Sequence, residues 1–211
     1  MLMSMSDSVC YIVGASDFSE TFAVSDGDLV IAADGGYDSL LGVGITPDVL
    51  IGDLDSVKSI PEGTEIIRHP VEKDDTDSHL AYKHGYSRGY RKFVLFGGTG
   101  GRLDHTLANI SLLLRAKLDG ADMRMIGGGA EMRVIKNESV TLTGRAGSTV
   151  SVFAVGGAAH GVSIVGLKYR AEDVTLTEDY ALGVSNSFTE TGTGEVSVAN
   201  GALLIITECD F

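Results

Sequence analysis

The sequence predicts an α/β domain built on a mostly parallel sheet, followed by an all-β domain. Three observations lead there. Apolar runs of strand length alternate with helical stretches as far as residue 126, the pattern of strands joined by helical crossovers and covered on both faces. At Gly127-Gly128-Gly129 the texture changes, period-two patterns take over, and no helical pattern is legible beyond. Those later strands are short and separated by Gly-rich turns, as in an antiparallel sandwich or barrel. The boundary is therefore set at the three glycines, giving domains 1–128 and 129–211.

Taken in order, residues 9–14 form an apolar run ending in Gly, a first strand. Residues 29–33 form a second, followed directly by Asp34-Gly35-Gly36. Residues 37–43 read as a short helix with Leu40 and Leu41 inward. Residues 49–51 are a third strand and 65–68 a fourth. A helix starts at Asp75 or Thr76, with a capping residue, acids in its first turn, and Leu80, Ala81 and His84 on one face; Gly85 and Gly89 fray its end. Residues 92–96 are a strong strand. Residues 97–102 are a glycine-rich loop, and Asp104 caps a helix running through Leu114 and beyond. Residues 121–126 are a further strand. In the second half, alternation marks strands at 139–143, 149–153, 161–164, 196–199 and 203–207.

Composition narrows the function. The chain has 211 residues, 44% apolar and 21% charged, which supports a real core. A net charge of −13 argues against nucleic acid or an anionic membrane surface as partner, although a polyphosphate can still bind through metal ions and a few local cations. The two cysteines, Cys10 and Cys209, have no metal-ligand spacing and are expected to be reduced thiols of a cytoplasmic protein. No stretch has the length of a membrane span, and residues 1–8 lack the pattern of a signal peptide.

The stretches able to carry chemistry fall at strand ends. Gly52-Asp53-Leu54-Asp55-Ser56 closes the third strand, with two carboxylates two residues apart. Asp74-Asp75-Thr76-Asp77 opens a helix. Convergent carboxylates suit a hard cation such as Mg2+, which is usually held by one or two carboxylates plus substrate phosphates; taken singly, each cluster also reads as an acidic turn in solvent. Gly97-Gly98-Thr99-Gly100-Gly101-Arg102 suits a phosphate: glycines admit close approach, a helix N-terminus follows, and Arg102 offers a forked contact. It also reads as a tight structural turn. It is not a P-loop, since no Lys followed by Ser or Thr closes it, nor the dinucleotide fingerprint, since Leu103 replaces the last Gly. In an open parallel sheet ligands bind beyond the carboxyl ends of the strands, and all these stretches lie there together with Asp34-Gly35-Gly36. The five histidines form no metal-binding pair, and no Ser or Cys sits in a nucleophile elbow.

Together these segments resemble the thiamin pyrophosphokinase (thiamin diphosphokinase) family. The resemblance is carried by Ala33-Asp34-Gly35-Gly36, Pro47-Asp48 with residues 52–56, Lys73-Asp74-Asp75-Thr76-Asp77, and Gly97 through Arg102-Leu103-Asp104-His105, with Asn109 in the helix that follows. Gly166-Leu167-Lys168-Tyr169 and Ser185-Asn186 are similar to the family's vitamin-binding segments. Leu54 stands where the family commonly has Phe, and Tyr169 where many members have Trp.

The resemblance implies an α/β catalytic, ATP-binding domain over 1–128 and a β-sandwich that binds thiamin over 129–211. It implies a homodimer with the thiamin site at the interface. The implied reaction moves a diphosphate from ATP to the hydroxyethyl oxygen of thiamin, giving thiamin diphosphate and AMP. On this reading Asp53, Asp55 and Asp77, with Asp74, hold Mg2+ against the phosphates. Arg102 and the amides of Gly97, Gly98, Thr99, Gly100 and Gly101 bind ATP, and Asp104 orients Arg102 or caps its helix. Asp34 lies near the acceptor hydroxyl as base or orienting group, and Tyr169, Ser185 and Asn186 face thiamin. Two other readings are a pyrophosphokinase of a hydroxymethylpterin and a non-catalytic sensor of thiamin diphosphate or a nucleotide.

Overall fold

A computed structural model of the chain describes residues 7–16, 18, 22–52, 63–68 and 75–209. The chain divides into two units, Met1–Gly128 and Gly129–Phe211.

The first unit contains, in order, β1 (Val9–Val13), β2 (Leu29–Ala33), α1 (Gly36–Gly42), β3 (Val49–Gly52), β4 (Glu65–Arg68), α2 (Asp77–Ser87), β5 (Lys92–Phe96), α3 (Leu103–Leu118) and β6 (Asp122–Gly127). Its strands lie in the order β6-β5-β1-β2-β3-β4. Every pairing among them is parallel. The chain thus steps outward from β1 to β4, then returns to add β5 and β6 on the other side of β1.

Alternating side chains divide between two apolar layers. On one face Val13, Val30, Ala32, Leu50, Val94 and Phe96 pack with Tyr37 and Leu40 of α1. The opposite set includes Cys10, Ile12, Ile31, Ile51, Phe93 and Leu95, all buried. Against it α2 buries Ala81, Tyr82 and Gly85, and α3 buries Leu112, Leu113 and Ala116.

Helix details depart from expectation in three places. Leu41 is exposed, because a seven-residue helix presents only one stripe and Leu40 takes it. Thr76 is the N-cap of α2, its hydroxyl accepting from the His79 amide at 3.3 Å, but Leu80 and His84 are only half-buried. Gly85 does not fray α2. It lies inside the helix, where a Cβ would sit 2.7 Å from the Cys10 Sγ and 2.9 Å from the Phe93 ring, so the missing side chain lets α2 approach the sheet.

The second unit comprises β7 (Ala130–Lys136), β8 (Ser139–Thr143), β9 (Thr149–Ala154), β10 (Ala159–Val165), β11 (Ala171–Leu176), β12 (Gly183–Ser187), β13 (Thr193–Asn200) and β14 (Ala202–Glu208). They form two antiparallel arrays, β12-β9-β14-β7 and β11-β10-β13-β8. Side chains from both arrays share one core, with Ile135, Val150, Val152, Leu203 and Ile205 from the first and Leu142, Val162, Ile164, Val196 and Val198 from the second. This is a sandwich in which the inward residues alternate with exposed ones along each strand. Strands β7, β11 and β12 lie where no clear alternation is legible in the sequence. Neither cysteine is in a disulfide, and no helix among the described residues is long and apolar enough to cross a membrane.

The Gly85 contact yields a stability prediction. Ala is the better helix former by about 1 kcal/mol, yet Gly85→Ala should destabilise by a net ~1–2 kcal/mol, because overpacking against sheet atoms outweighs the helical gain. Adding Cys10→Ala removes the nearest obstacle and should recover part of that loss in a double-mutant cycle read by urea denaturation. Strict additivity of the two changes would show that the Sγ is not the obstacle.

Candidate functional site

The strand order places a crevice. Successive strands run to one side of β1 as far as β4 and then to the other side through β5, so the order reverses between β1 and β5. Loops leaving adjacent strands at such a reversal diverge, and the gap beyond their carboxyl ends is where open α/β sheets bind ligands. Here the two loops are Gly14-Ala15-Ser16 and residues 97–102.

These loops are interlocked through their backbones. The Gly14 amide donates to the Phe96 carbonyl at 2.8 Å and the Ser16 amide to the Gly97 carbonyl at 3.3 Å. Gly97 has φ +61°, and a Cβ there would lie 2.6 Å from the Gly14 carbonyl oxygen, so both conformation and space require glycine. The Ser16 Oγ lies 2.8 Å from where a Cβ of Gly101 would stand. Sequence reasoning missed the 14–16 loop, which has no charge to draw attention; only the strand order identifies it.

The next loop joins the same rim. A Cβ on Gly36 would overlap the Val13 carbonyl oxygen, which lets α1 start directly over the end of β1. Asp34 has φ +50°, a left-handed conformation uncommon outside glycine but tolerated by Asp. Its amide donates to the Ile51 carbonyl at 2.8 Å. A Cβ built on Gly52 would come within 3.2 Å of the Asp34 Cα, so the residue preceding Asp53 touches the Asp34 backbone. Asp53, Asp55 and Asp74 lie outside the described residues. Asp77 is described and sits half-buried in the first turn of α2. No group of three or more His, Cys, Asp or Glu able to hold a metal occurs among the described residues, a set that lacks those three aspartates.

Arg102 is the N-cap of α3 and brings no side-chain acceptor of its own to the first-turn amides. Its guanidinium pairs with Asp104, Nε to Oδ1 at 3.1 Å and Nη2 to Oδ2 at 2.6 Å. The hydrogen bond from Arg102 holds the Asp104 carboxyl below the usual carboxylate range. Asp104 is therefore not the cap of its helix: the helix has already begun at Leu103, and the carboxylate turns back to Arg102 and to the His105 amide at 3.0 Å. Both side chains are largely exposed. Below them, the buried Asn109 donates from Nδ2 to the Gly98 carbonyl at 2.9 Å and ties the loop to α3.

In the sandwich, Tyr169 and Asn186 line one concavity of about 390 Å³ with Ile164, Val174, Leu176 and Leu182. Ser185 does not line it: this residue sits at φ +60° beside a register shift in β12, with its amide on the Ser151 Oγ at 3.2 Å. Asn186 is buried, and its amide is already engaged. Oδ1 accepts from the Tyr169 and Ser187 amides, both at 2.9 Å, and Nδ2 donates to the Tyr169 carbonyl at 2.7 Å. The side chain thus replaces a strand partner for Tyr169, a residue that stays 59% exposed.

Comparison with known proteins divides in the same way as the chain. Residues 23–125 match the family described as thiamin pyrophosphokinase, catalytic domain, and residues 133–203 match its vitamin B1 binding domain. The thiamine pyrophosphokinase of Bacillus subtilis is 28% identical over 189 residues, covering 86% of this chain and 88% of that protein. The crystal structure of the Bacillus subtilis protein superposes with a TM-score of 0.83 at 24% identity, covering 96% of this chain and all (100%) of that one. Thiamin pyrophosphokinase from Candida albicans gives 0.72 at 15% identity, covering 100% and 95%. At those identities the structural likenesses establish the fold.

The Asn186 geometry predicts that Asn186→Ala costs stability, about 1–3 kcal/mol for stranding the Tyr169 peptide groups. Chemical denaturation of the variant measures this. A fully stable variant would show that the Tyr169 backbone finds other partners.

Proposed function

The chain belongs to the thiamin pyrophosphokinase family, and from that membership we propose that it transfers a diphosphate from ATP to thiamin, releasing AMP. The observation that carries the reading is that the catalytic and vitamin-binding matches fall on separate units, while the catalytic one takes in the 34–36 and 97–104 segments that both close on the end of β1. The thiamin hydroxyl oxygen attacks the β-phosphorus, the bond from that phosphorus to the α–β bridging oxygen breaks, and AMP leaves. Such transfers depend on positioning and electrostatics more than on covalent chemistry by the protein.

The roles follow from charge and reach. Asp53, Asp55 and Asp77, with Asp74, would hold Mg2+; their all-oxygen donors suit it, and Asp34 and Gly52 in contact bring two of the acidic segments to one place. Bound there, the metal neutralises charge on the phosphates. Arg102 and the amides of the 97–101 loop bind the triphosphate, with Asp104 aiming the guanidinium. Asp34 stands by the acceptor hydroxyl as orienting group or base. In the sandwich, the Tyr169 ring supplies a platform for the flat, cationic vitamin. Asn186 acts mainly by fixing Tyr169, with one amide hydrogen left to offer, and Ser185 is a peripheral contact. The vitamin-binding match over 133–203 favours thiamin over a hydroxymethylpterin.

The protein works in the cytoplasm as a homodimer. Val165, Tyr169, Tyr180, Leu182 and Val184 are large apolar side chains left exposed on the sandwich unit, surface that a two-fold contact with the thiamin site at its edge would cover. Sedimentation should give a dimer at micromolar concentration; a stable, active monomer would reject this assembly.

The direct test is AMP release in a coupled assay with ATP, Mg2+ and thiamin. AMP should appear only when thiamin is present. Turnover of a pterin alcohol with none of thiamin would overturn the acceptor and leave the ATP site standing. Asp53→Asn, Asp55→Asn and Asp77→Asn should each lower kcat by about a hundredfold or more while the fold survives. Arg102→Ala should raise the KM for ATP by roughly tenfold or more, the scale of one charged hydrogen bond, and leave the KM for thiamin unchanged.

A further inference from the structure

One polar atom in the glycine loop has no role in the fold. Thr99 is buried, and its Oγ1 has no hydrogen-bond partner among the described residues. The reason it is enclosed is local. The Oγ1 lies 2.5 Å from where a Cβ of Gly127 would stand and 3.6 Å from that of Gly128, so the end of β6 closes over the hydroxyl without offering it a donor or acceptor. Valine has the same shape, would fill the same space, and would carry no buried orphan. A buried hydroxyl left unpaired opposes folding, and such local inconsistencies concentrate at functional sites.

The loop can release it. Gly100 at φ +89° has open space around it, and Gly128 at φ +63° meets only the Thr99 Oγ1, so the loop after Thr99 and the end of β6 that covers it can separate without a side chain to displace. Thr99 is also three residues before Arg102 and beside Gly98, whose carbonyl is anchored by Asn109. The fixed and the movable parts of the loop therefore meet at this residue.

We infer that the Thr99 hydroxyl is a nucleotide-binding group whose partner is a phosphate oxygen of ATP, acquired when the glycine loop moves off the end of β6. The hydroxyl donates a hydrogen bond to that oxygen, which supplies the partner it lacks among the described residues. This rests on the reading of residues 97–102 as the ATP loop, and the test separates the two.

The test measures melting temperature, with and without ATP and Mg2+, and the KM values for ATP and thiamin. It compares the full-length protein with Thr99→Val, Thr99→Ser and Arg102→Ala. Without nucleotide, Thr99→Val should melt a few degrees higher, since it removes an unsatisfied group and keeps the shape. Its KM for ATP should rise by about tenfold, its ATP-induced gain in melting temperature should shrink, and its KM for thiamin should not move. Thr99→Ser should restore the ATP value. If Thr99→Val leaves the KM for ATP unchanged while Arg102→Ala raises it, the hydroxyl is not a ligand and the inference fails alone. If neither variant alters the KM for ATP, the assignment of the loop fails with it.

Discussion

Against the carboxyl end of β1 there is room for backbone and nothing more. The Gly14 amide is bonded to Phe96, Gly97 presses on the Gly14 carbonyl, and Gly36 packs on the Val13 carbonyl, each at a distance no Cβ would allow. Three loops that leave three different strands are thereby drawn to one point. Asp34 sits at the start of one of them, in a left-handed conformation, with Gly52 against its backbone. The glycines set the closeness of approach, and the closeness makes a continuous rim out of segments as far apart in the chain as Gly14 and Gly97.

That rim solves an electrostatic problem. A chain of net charge −13 must hold a polyanion. Global attraction is unavailable, so the proposed binding is local, through backbone amides, the N-terminal end of α3, Arg102, and a metal that the acidic segments would hold. Arg102 does not wait uncommitted. Asp104 grips it from two residues away, and the depressed carboxyl pKa keeps that grip through neutral pH; it is lost only as the pH falls through the lowered value. In solvent such a pair contributes little to stability. Its effect is to fix the direction of the guanidinium, which the proposed function uses to meet a phosphate.

Much of the first unit was legible because its strands are buried on both sides and so read as plain apolar runs; β2 and β3 have no exposed residue. The change of period at the three glycines falls where the chain divides into its two units. The sandwich was harder to read. In β7, Glu131 and Arg133 pair with each other on the strand, and β11 and β12 are mostly half-buried or exposed, so neither gives an alternating pattern. At the site, charged and glycine-rich stretches announced themselves, whereas Gly14-Ala15-Ser16 could be found only from the strand order. Gly85 and the capping role of Asp104 were misread for a shared reason: what each residue does depends on what lies opposite in space, the Cys10 thiol in one case and the Arg102 guanidinium in the other. Asn186 has the chemistry of a ligand group, but three of its hydrogen-bonding sites are taken up by the neighbouring backbone.

The central claim is that ATP binds where the strand order reverses, between the loops after β1 and β5. Amide chemical-shift mapping with a non-hydrolysable ATP analogue and Mg2+ tests it without any variant. The account predicts the largest changes at residues 14–16, 34–36 and 97–104. Changes centred on residues 129–211, with the 14–16 and 97–104 loops silent, would contradict it.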